Sequence, residues 1–230
     1  SYSYIGQIYF AQNDYSKALD YFKKSLKLDL SFFGENHPSV ASGYYNIGYV
    51  YFAQGDYSKA LEYFEEVLKI RLSVYGENHS RVASVYNDIG EIYSVQGDDF
   101  KALDYFKKSL KIVLSVYGEN HSQVSSIYDH IGEIYFAQKD YSKALYYFEE
   151  SLKIRLSLFG ENHPEVALSY YSIGSLYIIQ GDKSKALNYY EKSLKIRLSV
   201  YGENHPLTKE IMDLINVANS KVLQSPETTK

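Results

Sequence analysis

The chain has no cysteine, no tryptophan, a single methionine and four prolines in 230 residues. Without cysteine there is no disulfide, no thiolate-bound zinc and no thiol nucleophile. No stretch approaches the ~18 consecutive apolar residues that a membrane-crossing helix requires. Positive charge is also short. Against 28 Asp and Glu stand 24 Lys and Arg, a net charge of −4, which argues against a phosphate-neutralising surface and so against nucleic acid as a partner. The opening Ser1-Tyr2-Ser3-Tyr4 lacks the basic start and apolar core of a secretory signal. Nor is there a Gly-rich phosphate loop, a Gly-x-Ser-x-Gly turn or a His-Glu-x-x-His pair, so the expectation is a non-enzymatic, cytoplasmic protein that binds no membrane and no cofactor. What is plentiful is apolar and aromatic: 45% hydrophobic residues and 27 tyrosines, ample for a packed core.

Those residues are not scattered. The tetrapeptide Gly-Glu-Asn-His begins at Gly34, Gly76, Gly118, Gly160 and Gly202, always 42 residues apart. A glycine ladder (Gly6, Gly48, Gly90, Gly132, Gly174) and an alanine ladder (Ala18, Ala60, Ala102, Ala144, Ala186) keep the same step. A fixed period of this size marks one small unit stacked repeatedly, each copy covering its neighbour's apolar face.

Within residues 41–82, Tyr44, Ile47, Gly48 and Tyr51 recur at helical spacing behind Val40, with Asn36 and His37 suited to cap a helix that starts at Pro38. Gln54-Gly55-Asp56 ends this helix and opens another, with Asp56 as N-cap and Tyr57, Ala60, Leu61, Phe64, Val67, Leu68 and Leu72 as its apolar stripe. Glu65 and Lys69 are spaced to support it as an ion pair, as are Glu149/Lys153 and Glu191/Lys195. Gly76 reads as a left-handed C-cap. A glycine inside a helix costs about 1 kcal/mol relative to alanine. Gly48 therefore needs a packing reason, and its expected partner is the small Ala60 of the second helix.

Tyr44-x2-Ile47-Gly48-x2-Tyr51 followed by Ala60-x3-Phe64 resembles the tetratricopeptide repeat pattern, with tyrosine in the usual tryptophan slot. That family repeats every 34 residues, so the longer period here implies a second helix extended by up to two turns. The Gly-x-x-His-Pro-x-Val linker is similar to the kinesin light chain type of the family. The resemblance implies an all-α, right-handed superhelical solenoid over residues 1–206, composed of a truncated first repeat 1–40 and repeats 41–82, 83–124, 125–166 and 167–206. A capping helix at 207–223 and a polar tail at 224–230 would follow. The chain reads as beginning inside a repeat, and so as a piece of a longer protein.

In this family the first helices line a concave groove. The matching slots hold Gln7 and Phe10; Tyr45, Tyr49 and Phe52; Asn87, Glu91 and Ser94; Asp129, Glu133 and Phe136; and Tyr171, Ser175 and Ile178. These slots vary between copies while the core ladder does not. The first-helix segments contain one base, Arg81, against Asp88, Glu91, Asp129, Glu133 and Glu165. That imbalance equals the whole net charge, so the expected ligand of an acidic, tyrosine-bearing groove is a Lys- or Arg-rich peptide or protein segment. The same slots lack the bases that the family uses to grip carboxylates. The five linker histidines (His37, His79, His121, His163, His205) stand a full repeat apart, too far to converge on one metal ion, and read as caps. The alternative to a peptide-binding scaffold is a self-associating rod joined through the truncated N-terminal repeat.

Overall fold

In the computed structural model, residues 1–220 are described, and all regular structure among them is helical. The tail 224–230 and residues 221–223 of the expected closing helix lie outside the described residues. Eleven helices alternate in length: α1 (Tyr2–Ala11), α2 (Tyr15–Phe33), α3 (Pro38–Ala53), α4 (Tyr57–Tyr75), α5 (Ser80–Val95), α6 (Asp99–Tyr117), α7 (Ser122–Ala137), α8 (Tyr141–Phe159), α9 (Pro164–Ile179), α10 (Lys183–Tyr201) and α11 (Pro206–Ser220). The complete first helices have 16 residues and the second helices 19, so the long period does extend the second helix. None is long and apolar enough to cross a membrane. By contacts the chain divides into two compact units, one from Ser1 to Gly118 and one from Glu119 onward. In the first, α1 to α6 each pack on the next, and α7 to α11 do so in the second.

Helix boundaries follow the linker chemistry. The Nδ1 atom of His37, His79, His121, His163 and His205 accepts the backbone N–H two residues on, at 3.1–3.2 Å, capping the next helix. In four linkers the imidazole also stacks on the last aromatic of the preceding helix, as Tyr75 does on His79 with centroids 4.5 Å apart. Asp56 caps α4 through the Lys59 N–H, and its counterparts do the same in every copy. Gly76 is not the left-handed cap expected of it. Its φ of 78° and ψ of 171° fall in a region open essentially to glycine alone, which sends the chain onward extended rather than curling it back.

The glycine ladder lies at the hairpin contact, and at Gly6, Gly90, Gly132 and Gly174 the nearest partner is the aromatic ring sixteen residues on, whereas Gly48 does meet the expected Ala60 through its carbonyl. A Cβ placed on Gly90 would lie 2.8 Å from the Phe106 ring, and Gly6, Gly132 and Gly174 face Phe22, Phe148 and Tyr190 as closely. At Gly48 the nearest atoms are Tyr63 Cβ at 3.1 Å and the Ala60 carbonyl at 3.5 Å. At those four positions glycine is needed because a full ring, and not a methyl, fills the space between the helices. The expected Glu65/Lys69 and Glu149/Lys153 pairs are replaced by Glu66–Lys69 at 3.7 Å and Glu150–Lys153 at 3.6 Å. All are solvated side chains, for which three- and four-residue spacings compete on nearly equal terms.

Tyrosine abundance has a structural origin. In each hairpin a second-helix tyrosine sits between two first-helix tyrosines, as Tyr63 does between Tyr44 and Tyr51 with centroids 6.1 and 5.5 Å away. The lysine that follows each N-cap Asp stands over one of these rings in every copy, 4.7–5.1 Å from its centroid.

Candidate functional site

Of the candidate residues in the first unit, Tyr45, Tyr49 and Phe52 are brought together on α3. Tyr45 stacks on Tyr49 at 6.2 Å, and Tyr49 reaches both Phe52 at 6.2 Å and Phe10 of α1 at 5.6 Å. Tyr49 is exposed, whereas Tyr45 turns its edge to the buried Phe64. On α5, Asn87 Nδ2 donates to Glu91 Oε1 at 2.6 Å, and Ser94 is half-buried one turn further along.

Behind this stripe lies a group that the segment-by-segment charge count did not anticipate. Arg71 reaches from α4 between α3 and α5, donating to the Arg81 carbonyl at 2.7 Å and Ser84 Oγ at 2.9 Å. Its guanidinium covers the Tyr45 ring at 5.3 Å. Asp88 closes the cluster. Burial, and then repulsion from Glu91, push its carboxyl up from 3.8 to about 7, while Tyr45 and Arg71 act in the opposite sense. Its Oδ2 and Asn87 Oδ1 are buried acceptors with no hydrogen-bond partner within the protein. Burial also raises Glu91.

In the second unit Arg155 occupies the equivalent place and is buried. It binds Asp129 Oδ2 at 2.7 Å, Glu165 Oε2 at 3.0 Å and Ser169 Oγ at 2.8 Å. Asp129 is thus an internal partner and not a free groove charge, although burial still outweighs Arg155 and raises its carboxyl. Beside it, burial and then Arg155 depress His130. Glu133 is exposed and Phe136 packs against Tyr141 at 5.9 Å. Arg197 repeats the arrangement against α11, donating to the Leu207 carbonyl and to Glu210, with the Tyr171 ring 4.9 Å from its guanidinium. Tyr171 in turn donates to Glu210 at 3.1 Å. Ser175 contacts the Tyr190 hydroxyl at 3.1 Å, and Ile178 lines a cavity of about 210 Å³ with Lys183, Tyr190, Leu214, Val217 and Ala218.

The arginines at 71, 155 and 197, whose places are taken by Asp29 and Val113 in the other two copies, therefore compensate carboxylates that the sequence reading left uncompensated. Their 42- and 84-residue spacing was the available signal. Among the described residues no group of three His, Asp or Glu could hold a metal ion, and the linker imidazoles are engaged as caps.

No curated protein matches the chain by sequence. Solved structures do match by fold. BtubC (BKLC) from P. vanneervenii aligns with a TM-score of 0.78 and 24% identity over 89% of this chain and 81% of that one. A putative kinesin light chain from Podospora anserina with nearly identical repeats aligns at 0.72 and 16%, over 87% and 95%. The apo form of RapI aligns at 0.73 and 18%, over 96% and 83%. At these identities the likeness is one of fold. The sequence evidence is independent of it: a family model described as tetratricopeptide repeat matches residues 1–73, 43–115, 81–157 and 123–199. With the glycine-to-ring contact, the capped hairpins and the 42-residue step, these matches establish that the chain belongs to the tetratricopeptide repeat family.

Proposed function

We propose that this chain is a non-catalytic scaffold that binds a protein or peptide segment along the variable stripe of its first helices. The observation that carries the reading is a contrast within the array. The packing positions Ile47, Ile89, Ile131 and Ile173 are one residue type and are all buried. The neighbouring stripe instead changes from Tyr45 and Tyr49 to Asn87 and Glu91, to Asp129 and Glu133, and to Tyr171 and Ser175. Packing explains the constancy, and reading of a ligand explains the variation. A Rap protein of this fold has been solved in complex with competence and sporulation factor, with a TM-score of 0.67 and 18% identity over 95% of this chain and 64% of that one. That complex supports ligand binding as a use of the architecture.

On α1 and α3 the stripe carries Phe10, Tyr45, Tyr49 and Phe52 and suits apolar or cationic side chains. The expected preference for Lys or Arg is weakened, because Asp129 is engaged by Arg155. A peptide-array screen of the wild type beside Tyr49→Ala and Glu133→Lys variants tests the reading. Weakened capture by variants of unchanged helicity is expected, and hits indifferent to all stripe substitutions would overturn it.

Self-association is a second reading, favoured by one observation. Ile8 and Leu28 are 41% and 45% exposed, whereas their counterparts Val50 and Ile70 are buried. With Tyr2, Ile5 and Phe32, Leu28 lines an open cavity of about 500 Å³. Light scattering across a concentration series decides it, since a mass that stays monomeric throughout removes the reading.

A further inference from the structure

The tyrosine clusters differ between copies at one position. It is occupied by Lys24, Glu66, Lys108, Glu150 and Lys192, a strict alternation along the chain. Where it is lysine, the ammonium caps the cluster from within the same repeat. Lys108 lies 4.8 Å from the Tyr105 centroid and 6.0 Å from Tyr86, and Lys192 lies 5.4 and 5.5 Å from Tyr189 and Tyr170. Lys24 covers Tyr21 at 5.1 Å. Where the residue is glutamate the tyrosine pair persists, with Tyr128 and Tyr147 centroids 5.6 Å apart. Among the described residues no cation stands over Tyr128, Tyr146 or Tyr147.

Around Glu150 the vacated place is a formed site. A cavity of about 320 Å³ is lined by Tyr128, Tyr146, Glu119, Glu150, Ile154 and Ser157, together with Asn120 and Lys153. Tyr146 is peculiar to this copy, standing where the others have Asp20, Glu62, Asp104 and Asn188. It adds a ring edge-on to Tyr147 at 5.2 Å and is itself 58% exposed. Asn120 Nδ2 donates to Ser157 Oγ at 3.1 Å and ties the linker wall to α8. Glu150 and Glu119 both face Tyr128, whose hydroxyl is raised by burial first and then by Tyr146 and these two carboxylates. The base among the lining residues, Lys153, meets Glu150 at 3.6 Å from solvent, with its own side chain 76% exposed. An exposed pair of that kind contributes little and is readily exchanged.

We propose that this cavity receives the cationic side chain of a partner, a lysine or arginine, which takes the position that Lys108 and Lys192 fill in the sister repeats. Aromatic faces attract a cation through their quadrupole, and two carboxylates at the rim add charge complementarity while leaving an uncharged side chain of equal length unrewarded. The neighbouring repeats supply the geometric precedent, because the same pair of rings at the same spacing already holds an ammonium there. The site is separate from the first-helix stripe and does not depend on what that stripe binds.

The test uses the full chain with ring-¹³C-labelled tyrosine and three probes: acetyl-Gly-Lys-Gly-amide, acetyl-Gly-Arg-Gly-amide and the norleucine peptide as the uncharged control. Signals assigned by Tyr128→Phe and Tyr147→Phe should move with the two cationic peptides and not with norleucine. Tyr86, Tyr105, Tyr170 and Tyr189, already capped, should stay still. Glu150→Lys, which rebuilds the composition of the sister repeats, should close the site with helicity unchanged. Glu150→Gln, which keeps the shape, should weaken binding about two- to fivefold. The reciprocal Lys108→Glu should open a new site over Tyr86 and Tyr105, whereas Tyr49→Ala should change nothing. Equal shifts at all tyrosine clusters, equal binding of norleucine, unaltered binding by Glu150→Lys, or no shift at any tyrosine would each overturn the proposal.

Discussion

Replacing Asp88 with asparagine should stabilise the protein above neutral pH, although it removes a charge that faces Arg71. Asp88 lies on α5 against the Tyr45 hydroxyl and the Arg71 guanidinium, with Glu91 one turn along its own helix, and burial is the largest influence on it. The folded carboxyl, at about 7, holds its proton where the unfolded one, near 3.8, has released it. The folded state thus binds the extra proton between about pH 4 and 7. Stability is greatest at the acid end of that window, falls as pH rises through it, and is level above it. At about 1.36 kcal/mol per pH unit the window spans roughly 4 kcal/mol. Asparagine removes the charged form but brings an amide N–H that needs a partner, worth about 1–3 kcal/mol if unmet. The expected gain at pH 8 is therefore roughly 1–3 kcal/mol, and near pH 5 the two proteins should be alike or the wild type better. Urea unfolding followed by circular dichroism at both pH values reads this difference directly. If Asp88→Asn destabilises as much at pH 8 as at pH 5, the carboxylate is held by Arg71 more strongly than burial opposes it, and the reasoning fails.

Three further outcomes are expected. Gly90→Ala should destabilise by roughly 1–3 kcal/mol through overpacking against Phe106, whereas Gly48→Ala, whose nearest neighbour is 3.1 Å away, should be close to neutral in the same thermal melts because alanine's better helix propensity offsets the milder contact. Lys139 has φ of 61° where other copies place Gly55, Gly97 and Gly181, so Lys139→Gly should stabilise by up to about 1 kcal/mol, measured by urea unfolding. Arg155→Ala should cost about 3–5 kcal/mol by leaving buried Asp129 uncompensated, and an added Asp129→Asn should recover much of that loss in a double-mutant cycle.

Much of this architecture is written in short-range chemistry, and that part was legible. Pro38 at the first helical position, His37 before it and Asp56 at the second start fix boundaries through contacts only two or three residues long, so the spans Pro38–Ala53 and Tyr57–Tyr75 follow from local rules. The same holds for the glycine ladder as a close contact. The ring as the tighter partner was missed because the sequence shows which residue must be small, but not how far an aromatic side chain on the facing helix extends. Ala60, four residues before the Phe64 ring, looked like the natural neighbour, and the ring had been counted only as core.

The placement of the candidate residues on the first helices was legible, but the charge around them was not. Assigning charges helix by helix treats each helix as if it kept its side chains to itself. Arg71, Arg155 and Arg197 do not, since each long stem leaves a second helix and places its guanidinium among the first-helix carboxylates, tyrosines and carbonyls of two hairpins. An acidic groove deduced from segment totals thereby becomes a set of compensated polar nodes, with Asp129 bound to Arg155 at 2.7 Å and Asp88 largely neutralised by its own burial. The consequence for recognition is physical. A ligand gains little by offering a cation to a carboxylate that already has one, so under the proposed function selectivity on the first-helix stripe would come more from its apolar side chains, such as Tyr49 and Phe52, than from net charge. Negative charge met only by an exposed lysine lies instead where a repeat has replaced its internal lysine with glutamate. The change from Lys108 to Glu150 keeps the tyrosine pair, adds the ring of Tyr146 and reverses the sign at the rim, which under the proposed cation binding converts a self-capped cluster into one that favours a cation from outside.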